Sequence, residues 1–193
     1  MIIQYLHSHW IEIAGTLLSL IYLYLSIRQK IGLWCFGFMS AVLYAVVFFQ
    51  SKFYADMSLQ FYYMAVSIYG WIHWKKGASG DNNTELKVSR TGMREALILT
   101  PVTLAILMLY YGILASFTDS PLPFADSFTT ALSITATWML AQKRLEHWML
   151  WVLVNIVSAV LYLHKGLYPT AVLFLVYTIF SIVGWIQWRK AIS

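Results

Sequence analysis

Seven apolar runs, each long enough to cross a lipid bilayer, constrain this chain more than any other feature. They cover about residues 10–27, 33–50, 55–75, 95–115, 124–141, 147–163 and 169–188. Crossing the hydrocarbon core takes roughly 20 residues of helix, against about 9–11 of a barrel strand. Runs of this length and continuity predict helices, since in lipid each segment must satisfy its own backbone hydrogen bonds. The expected fold is therefore an all-α integral membrane protein with seven transmembrane helices. Composition agrees: 60% hydrophobic and only 11% charged residues leave too little charge for a soluble domain of 193 residues.

The basic residues orient the helices. With the N-terminus outside and the C-terminus cytoplasmic, eleven lysines and arginines fall on the cytoplasmic side, and only Lys52 and Lys165 lie outside. Such a bias is the positive-inside rule, which also accounts for the net charge of +5 without nucleic acid as a partner. The start, MIIQYLHSHW, has no basic stretch and no cleavage site follows it, so the first run is expected to be a retained helix. Cys35 is the single cysteine, which excludes an intrachain disulfide and a cysteine-based metal site. His7 and His9 have no companion at metal-ligand spacing, so neither metal nor cofactor is expected.

Shifting the sequence against itself by 114 residues aligns 34–76 with 148–190 without a gap. Trp34 meets Trp148, Tyr63 meets Tyr177, Ser67 meets Ser181, and GWIHW at 70–74 meets GWIQW at 184–188. The same shift pairs Glu12 with Asp126. The chain thus reads as a first three-helix repeat (1–76), a solvated loop with linker helix 4 (77–123), and a second three-helix repeat (124–193). A single linker helix between three-helix units makes the repeats parallel, an arrangement of transporters whose substrate site lies near the bilayer midplane between the repeats.

Polar and aromatic groups recur on particular helix faces. Gln60, Tyr63, Ser67, Gly70 and Trp74 recur at spacings of three and four, as do Trp148, Trp151, Asn155, Ser158 and Tyr162. Helix 2 brings Trp34, Gly37, Ser40 and Tyr44. Asn155 lies near mid-span, where an unpaired amide costs several kcal/mol and so must face a partner, a substrate or water. The candidate substrate-binding residues are Trp34, Gln60, Tyr63, Trp148, Trp151, Asn155 and Tyr177. Trp34, Trp74, Trp148 and Trp188 also sit where interfacial tryptophan is enriched. His73 and His147 lie beside cytoplasmic charges and are expected to be solvated. Glu12, Asp56 and Asp126 mark the outer mouth and favour entry of a cation.

A pocket of Trp, Tyr, Asn and Gln suits a flat, polar, cationic ring. No carboxylate sits at mid-depth as a proton or sodium relay, which argues for passive facilitated diffusion.

FYADMSLQFYYMAVSIYGWIHW, WMLWVLVNIVSAVLY and VGWIQW closely resemble the PnuC family of bacterial vitamin transporters, along nearly the whole chain. The resemblance implies a fold similar to the SWEET sugar transporters, in a 3+1+3 arrangement within the bacterial inner membrane. It implies import of nicotinamide riboside, with thiamine a close second. It also implies trapping by a cytoplasmic kinase, and pocket roles for Gln60, Tyr63, Trp148, Trp151 and Asn155. The chain departs from an equal pair of halves at Trp34-x-x-Gly37, which answers Trp148-x-x-Trp151.

Two other classes compete. An intramembrane enzyme is disfavoured, because no Ser/His/Asp set, HExxH or paired mid-depth carboxylates occur. A substrate-binding subunit that needs an energising partner remains an alternative. Homo-oligomerisation is left open.

Overall fold

The structure, a computed structural model, describes residues 10–50, 54–78, 86–118, 121–164, 166 and 168–192, apart from the side chains of Glu12, Tyr54, Ala55, Ala78 and Pro169. Seven helices occupy these residues: α1 (Trp10–Ile27), α2 (Leu33–Gln50), α3 (Tyr54–Ala78), α4 (Met93–Phe117), α5 (Pro123–Ala141), α6 (His147–His164) and α7 (Tyr168–Lys190). Their limits fall within three residues of the apolar runs. At 1.5 Å per residue even the 18-residue helices reach about 27 Å, close to the thickness of the hydrocarbon core. Among the described residues, Leu33–Gln50, Met93–Phe117, His147–His164 and Thr170–Lys190 are the four stretches both long and apolar enough to cross a membrane by composition.

The chain divides into two compact units, Met1–Leu86 and Lys87–Ser193. In the first, α1 packs on α2 and α2 on α3. In the second, α4 packs on α5, α5 on α6 and α6 on α7. Small hydroxyl side chains join neighbouring helices: Ser19 to Ser40 at 2.7 Å and Thr16 to Tyr44 at 3.0 Å in the first unit. Thr103 and Thr135 meet at 2.7 Å in the second.

The 114-residue repeat extends into backbone geometry. Gln29, two residues past α1, has a φ of +55°, and Lys143, two residues past α5, has a φ of +51°. The amides of Lys30 and Gln29 bond back to the carbonyls of Leu25 and Ser26, and those of Arg144 and Lys143 to Met139 and Leu140. These are paired Schellman caps, in which a left-handed residue lets the last carbonyls of the helix find donors. Glycine usually fills that position, so both copies keep a conformation that costs a side-chain-bearing residue about 1–2 kcal/mol.

The same correspondence holds in side-chain packing. A Cβ added at Gly70 would strike the indole of Trp34, and one added at Gly184 would strike that of Trp148. Trp34 meets Trp74 edge to face at 5.5 Å between centroids, and Trp148 meets Trp188 in the same way at 5.9 Å. Glycine is required at 70 and 184 by this approach of an indole.

One expectation fails where the chain enters the second unit. The polar loop was expected to be a solvated linker, but its end, from Ser89 to Glu95, is fastened to the turn between α5 and α6. Ser89 N–H donates to the Lys143 carbonyl at 3.1 Å, and Leu145 N–H donates to the Ser89 carbonyl at 2.9 Å. Arg144 donates to Ser89 Oγ at 2.6 Å and forms an ion pair with Glu95 at 2.9 Å. Glu146 accepts from both the amide and the hydroxyl of Thr91 at 2.8 and 2.7 Å. Val88 is buried beneath this clasp. Composition marked the segment as polar, whereas its partners lie some 50 residues away.

Candidate functional site

The two helix pairs that carry the candidate residues, α2–α3 and α6–α7, use their tryptophans in one way and their amides in another. Trp34 and Trp148 are fully buried against the glycines of the adjoining helix. Their Nε1 atoms are buried and have no hydrogen-bond partner among the described residues. Trp151, one turn along α6 from Trp148, is half-buried. Its repeat position in α2 is Gly37, where an added Cβ would lie 2.9 Å from the Tyr22 ring. The first unit therefore fills with Tyr22 of α1 the space that an indole occupies in the second.

Asn155, on α6, is only 5% exposed, and its Nδ2 donates to Ser181 Oγ on α7 at 3.2 Å. Ser181 in turn donates to the Tyr177 carbonyl at 2.8 Å. Ser181 thereby fixes the amide while its own proton is committed to the helix backbone. A side-chain amide offers two donors and an acceptor with two lone pairs. Asn155 uses one donor here, leaving the other N–H and Oδ1 unpaired among the described residues. Tyr177 stands edge to face with Phe174 at 5.9 Å, and Phe174 stacks on Tyr162 at 5.2 Å. The Asn155 amide therefore shares its helix pair with a wall of aromatic rings.

In the first unit Gln60 of α3 is 8% exposed, and its amide makes no hydrogen bond among the described residues. Its amide is not among the fully buried polar atoms that lack a partner, so it stays open to a polar ligand or water. Tyr63, almost one turn further along the helix, is half-buried, and its ring tilts against Tyr62 at 5.8 Å. Ser40 and Tyr44, which helix 2 was expected to contribute, instead bond to α1 through Ser19 and Thr16.

Of the acidic residues assigned to an outer mouth, Asp56 is exposed in the first turn of α3 and Asp126 lies half-buried in the first turn of α5. Both positions suit a carboxylate, because a helix N-terminus carries partial positive charge. Glu12 lies in the first turn of α1, and its side chain is outside the described residues.

His147 corrects a further expectation. It is wholly buried rather than solvated, with Nδ1 at 2.6 Å from the Arg144 carbonyl and its ring 4.7 Å from Trp188. Its repeat partner is Leu33, also wholly buried. That apolar partner at the matching position was the available signal that His147 points inward. Among the described residues no group of histidine, cysteine or carboxylate side chains could hold a metal ion.

Comparison with known proteins matches this geometry to a family of transporters. The chain is 29% identical to the nicotinamide riboside transporter PnuC of Escherichia coli over 203 aligned positions, covering 93% of this chain and 84% of that protein. It is 25% identical to the riboflavin/roseoflavin transporter RibM of Streptomyces davaonensis, covering 94% and 85%. The crystal structure of the vitamin B3 transporter PnuC superposes with a TM-score of 0.76 at 25% identity, over 98% of this chain and 85% of that one. These relatives are named as transporters, and the apolar helices of this chain are those of a multi-pass membrane protein. The family profile described as nicotinamide mononucleotide transporter matches residues 9–190, and the chain belongs to that family.

Proposed function

We propose that this membrane transporter imports nicotinamide riboside by facilitated diffusion, with phosphorylation by a cytoplasmic kinase making uptake one-way. The observation that carries the reading is the pair of buried, incompletely bonded amides, Gln60 and Asn155, in a chain whose relatives include transporters of that substrate. Unmet amide groups read hydroxyls and carboxamide edges, and indole and phenol faces attract a cationic ring. The proposed contacts in the first unit are Trp34, Gln60 and Tyr63. In the second they are Trp148, Trp151, Asn155 and Tyr177.

Residues 1–76 and 124–193 are taken as parallel three-helix repeats of the SWEET type, joined through the loop and helix of 77–123. The recurring caps and Trp–Gly contacts at an offset of 114 residues support that reading. The distribution of lysine and arginine supports an outside N-terminus and a cytoplasmic C-terminus. Glu12, Asp56 and Asp126 then lie on the outer side and draw in a cationic substrate.

A second vitamin remains a specific alternative, because RibM, at 25% identity, is named for riboflavin. Thiamine, with a cationic ring, also fits the aromatic and amide groups. The test is uptake of labelled nicotinamide riboside into liposomes that contain only this protein. Saturable entry that stops at equal concentrations inside and out is expected. Binding without flux would turn the reading to a capture subunit that needs a partner.

A further inference from the structure

The two units exchange a large aromatic ring between helices. In the second unit Trp151 stands on α6, and Ala136 on α5 is wholly buried. The matching positions in the first unit are Gly37 on α2 and Tyr22 on α1, so the ring has moved to the other helix of the pair. The half-buried Tyr22 ring lies against the bare backbone of Gly37, its Cδ2 and Cε2 2.9 and 3.0 Å from where a Cβ would be. Phenylalanine would fill that space equally well, so packing accounts for the ring but not for its hydroxyl.

That hydroxyl makes no hydrogen bond among the described residues, and it is not one of the fully buried polar atoms that lack a partner. A ligand can therefore reach it, while the ring that carries it is held against α2. The phenols of Tyr63 and Tyr62 on α3 lie near enough to interact with it electrostatically. Gln60, whose amide is also open, precedes Tyr63 by three residues on α3. At the positions of Tyr22, Tyr62 and Gln60 the second unit has Ala136, Val176 and Phe174. Three groups able to hydrogen-bond are thus particular to the first unit, whereas Tyr63 keeps its hydroxyl counterpart in Tyr177.

We infer that Tyr22 is a further specificity-determining residue, whose hydroxyl bonds one ribosyl hydroxyl of the substrate beside Tyr62 and Tyr63. A phenol donates and accepts, as a sugar hydroxyl does, so the two pair in either sense. A cationic ring asks only for aromatic faces, but a sugar asks for hydroxyls or amides at its edge. The contact costs little ordering on binding, because the Tyr22 ring is already fixed on Gly37. The inference rests on the reading of this protein as a nicotinamide riboside transporter, and adds α1 to the helices that touch the substrate.

Binding titrations on the full chain in detergent test this, with nicotinamide riboside and its 2′-, 3′- and 5′-deoxy analogues as probes. Tyr22→Phe keeps the ring on Gly37 and removes the hydroxyl alone, and the thermal midpoint checks that the fold survives. The variant is expected to bind nicotinamide riboside about 2- to 12-fold more weakly, the contribution of one neutral hydrogen bond. The analogue that lacks the hydroxyl met by Tyr22 should bind the variant and the unmodified protein equally well. Tyr24→Phe, at an exposed position of α1, should leave every affinity unchanged. Unaltered affinity of Tyr22→Phe for nicotinamide riboside overturns the inference. An equal loss for the riboside and all three analogues also overturns it, and makes Tyr22 a packing residue. An unmodified protein that binds no nicotinamide riboside overturns the functional reading itself, and the inference falls with it before any variant is made.

Discussion

The indole of Trp148 closes over Gly184 so tightly that a Cβ at that glycine would lie 2.6 Å from three of its ring carbons. The same arrangement joins Trp34 to Gly70, so both helix pairs are locked by a large side chain seated on bare backbone. The tryptophans cannot swing aside easily, because Trp74 and Trp188 meet them edge to face. Gly184→Ala and Gly70→Ala are each expected to destabilise the protein by about 1–3 kcal/mol, the usual cost of overpacking a filled core. A lowered thermal midpoint in detergent would register this, and an unchanged midpoint would mean that the helices separate without strain.

Asn155 supplies a second prediction. Replacing it with leucine removes one interhelical hydrogen bond to Ser181, and such bonds contribute about 0.6 kcal/mol on average within membranes. Thermal stability should therefore change little. Loss of a hydrogen bond to substrate would instead weaken binding by about 1–3 kcal/mol, roughly 5- to 150-fold. Titration of nicotinamide riboside against Asn155→Leu separates the two roles, and unchanged affinity would assign the amide to helix packing.

The clasp of 89–95 on the α5–α6 turn can be opened by a single substitution. Arg144→Gln removes the ion pair to Glu95 and the charged hydrogen bond to Ser89, the latter kind being worth about 1.5–3 kcal/mol. The chain should then be cut by trypsin after Lys87 or Arg90 faster than in the unmodified protein. High salt should produce part of the same effect, because the pair is partly open to solvent and is screened.

The two left-handed caps are expected to answer differently to glycine. Gln29→Gly relieves the strain of a positive φ and should raise stability by up to about 1 kcal/mol. At Lys143 the side chain is buried, so glycine there forfeits packing as well as strain. Thermal midpoints of the two variants compare these contributions, and an equal gain at both sites would contradict the difference.

Helix positions were legible because each apolar run is long, and its ends carry charges or turn residues such as Arg28-Gln29-Lys30 and Lys143-Arg144. The buried amides could also be foreseen, since Asn155 interrupts an apolar run on one face of a helix. The inward turn of His147 was obscured by neighbouring charges that suggest solvent, although Leu33 at the matching repeat position is apolar. The clasp could not be read at all: Thr91 with Glu146 and Ser89 with Arg144 are pairings across 55 residues. No local pattern encodes such a distance. The left-handed caps stayed hidden because neither carries the glycine that normally announces one.

The clasp also decides where the polypeptide can be divided. Lys87–Glu95 is bonded to the turn before α6, so it travels with the second unit even though it precedes α4. A two-fragment version of this transporter must therefore leave that segment attached to the C-terminal piece. A fluorescent domain spliced in after Arg90 would pull out the staple it was meant to sit beside.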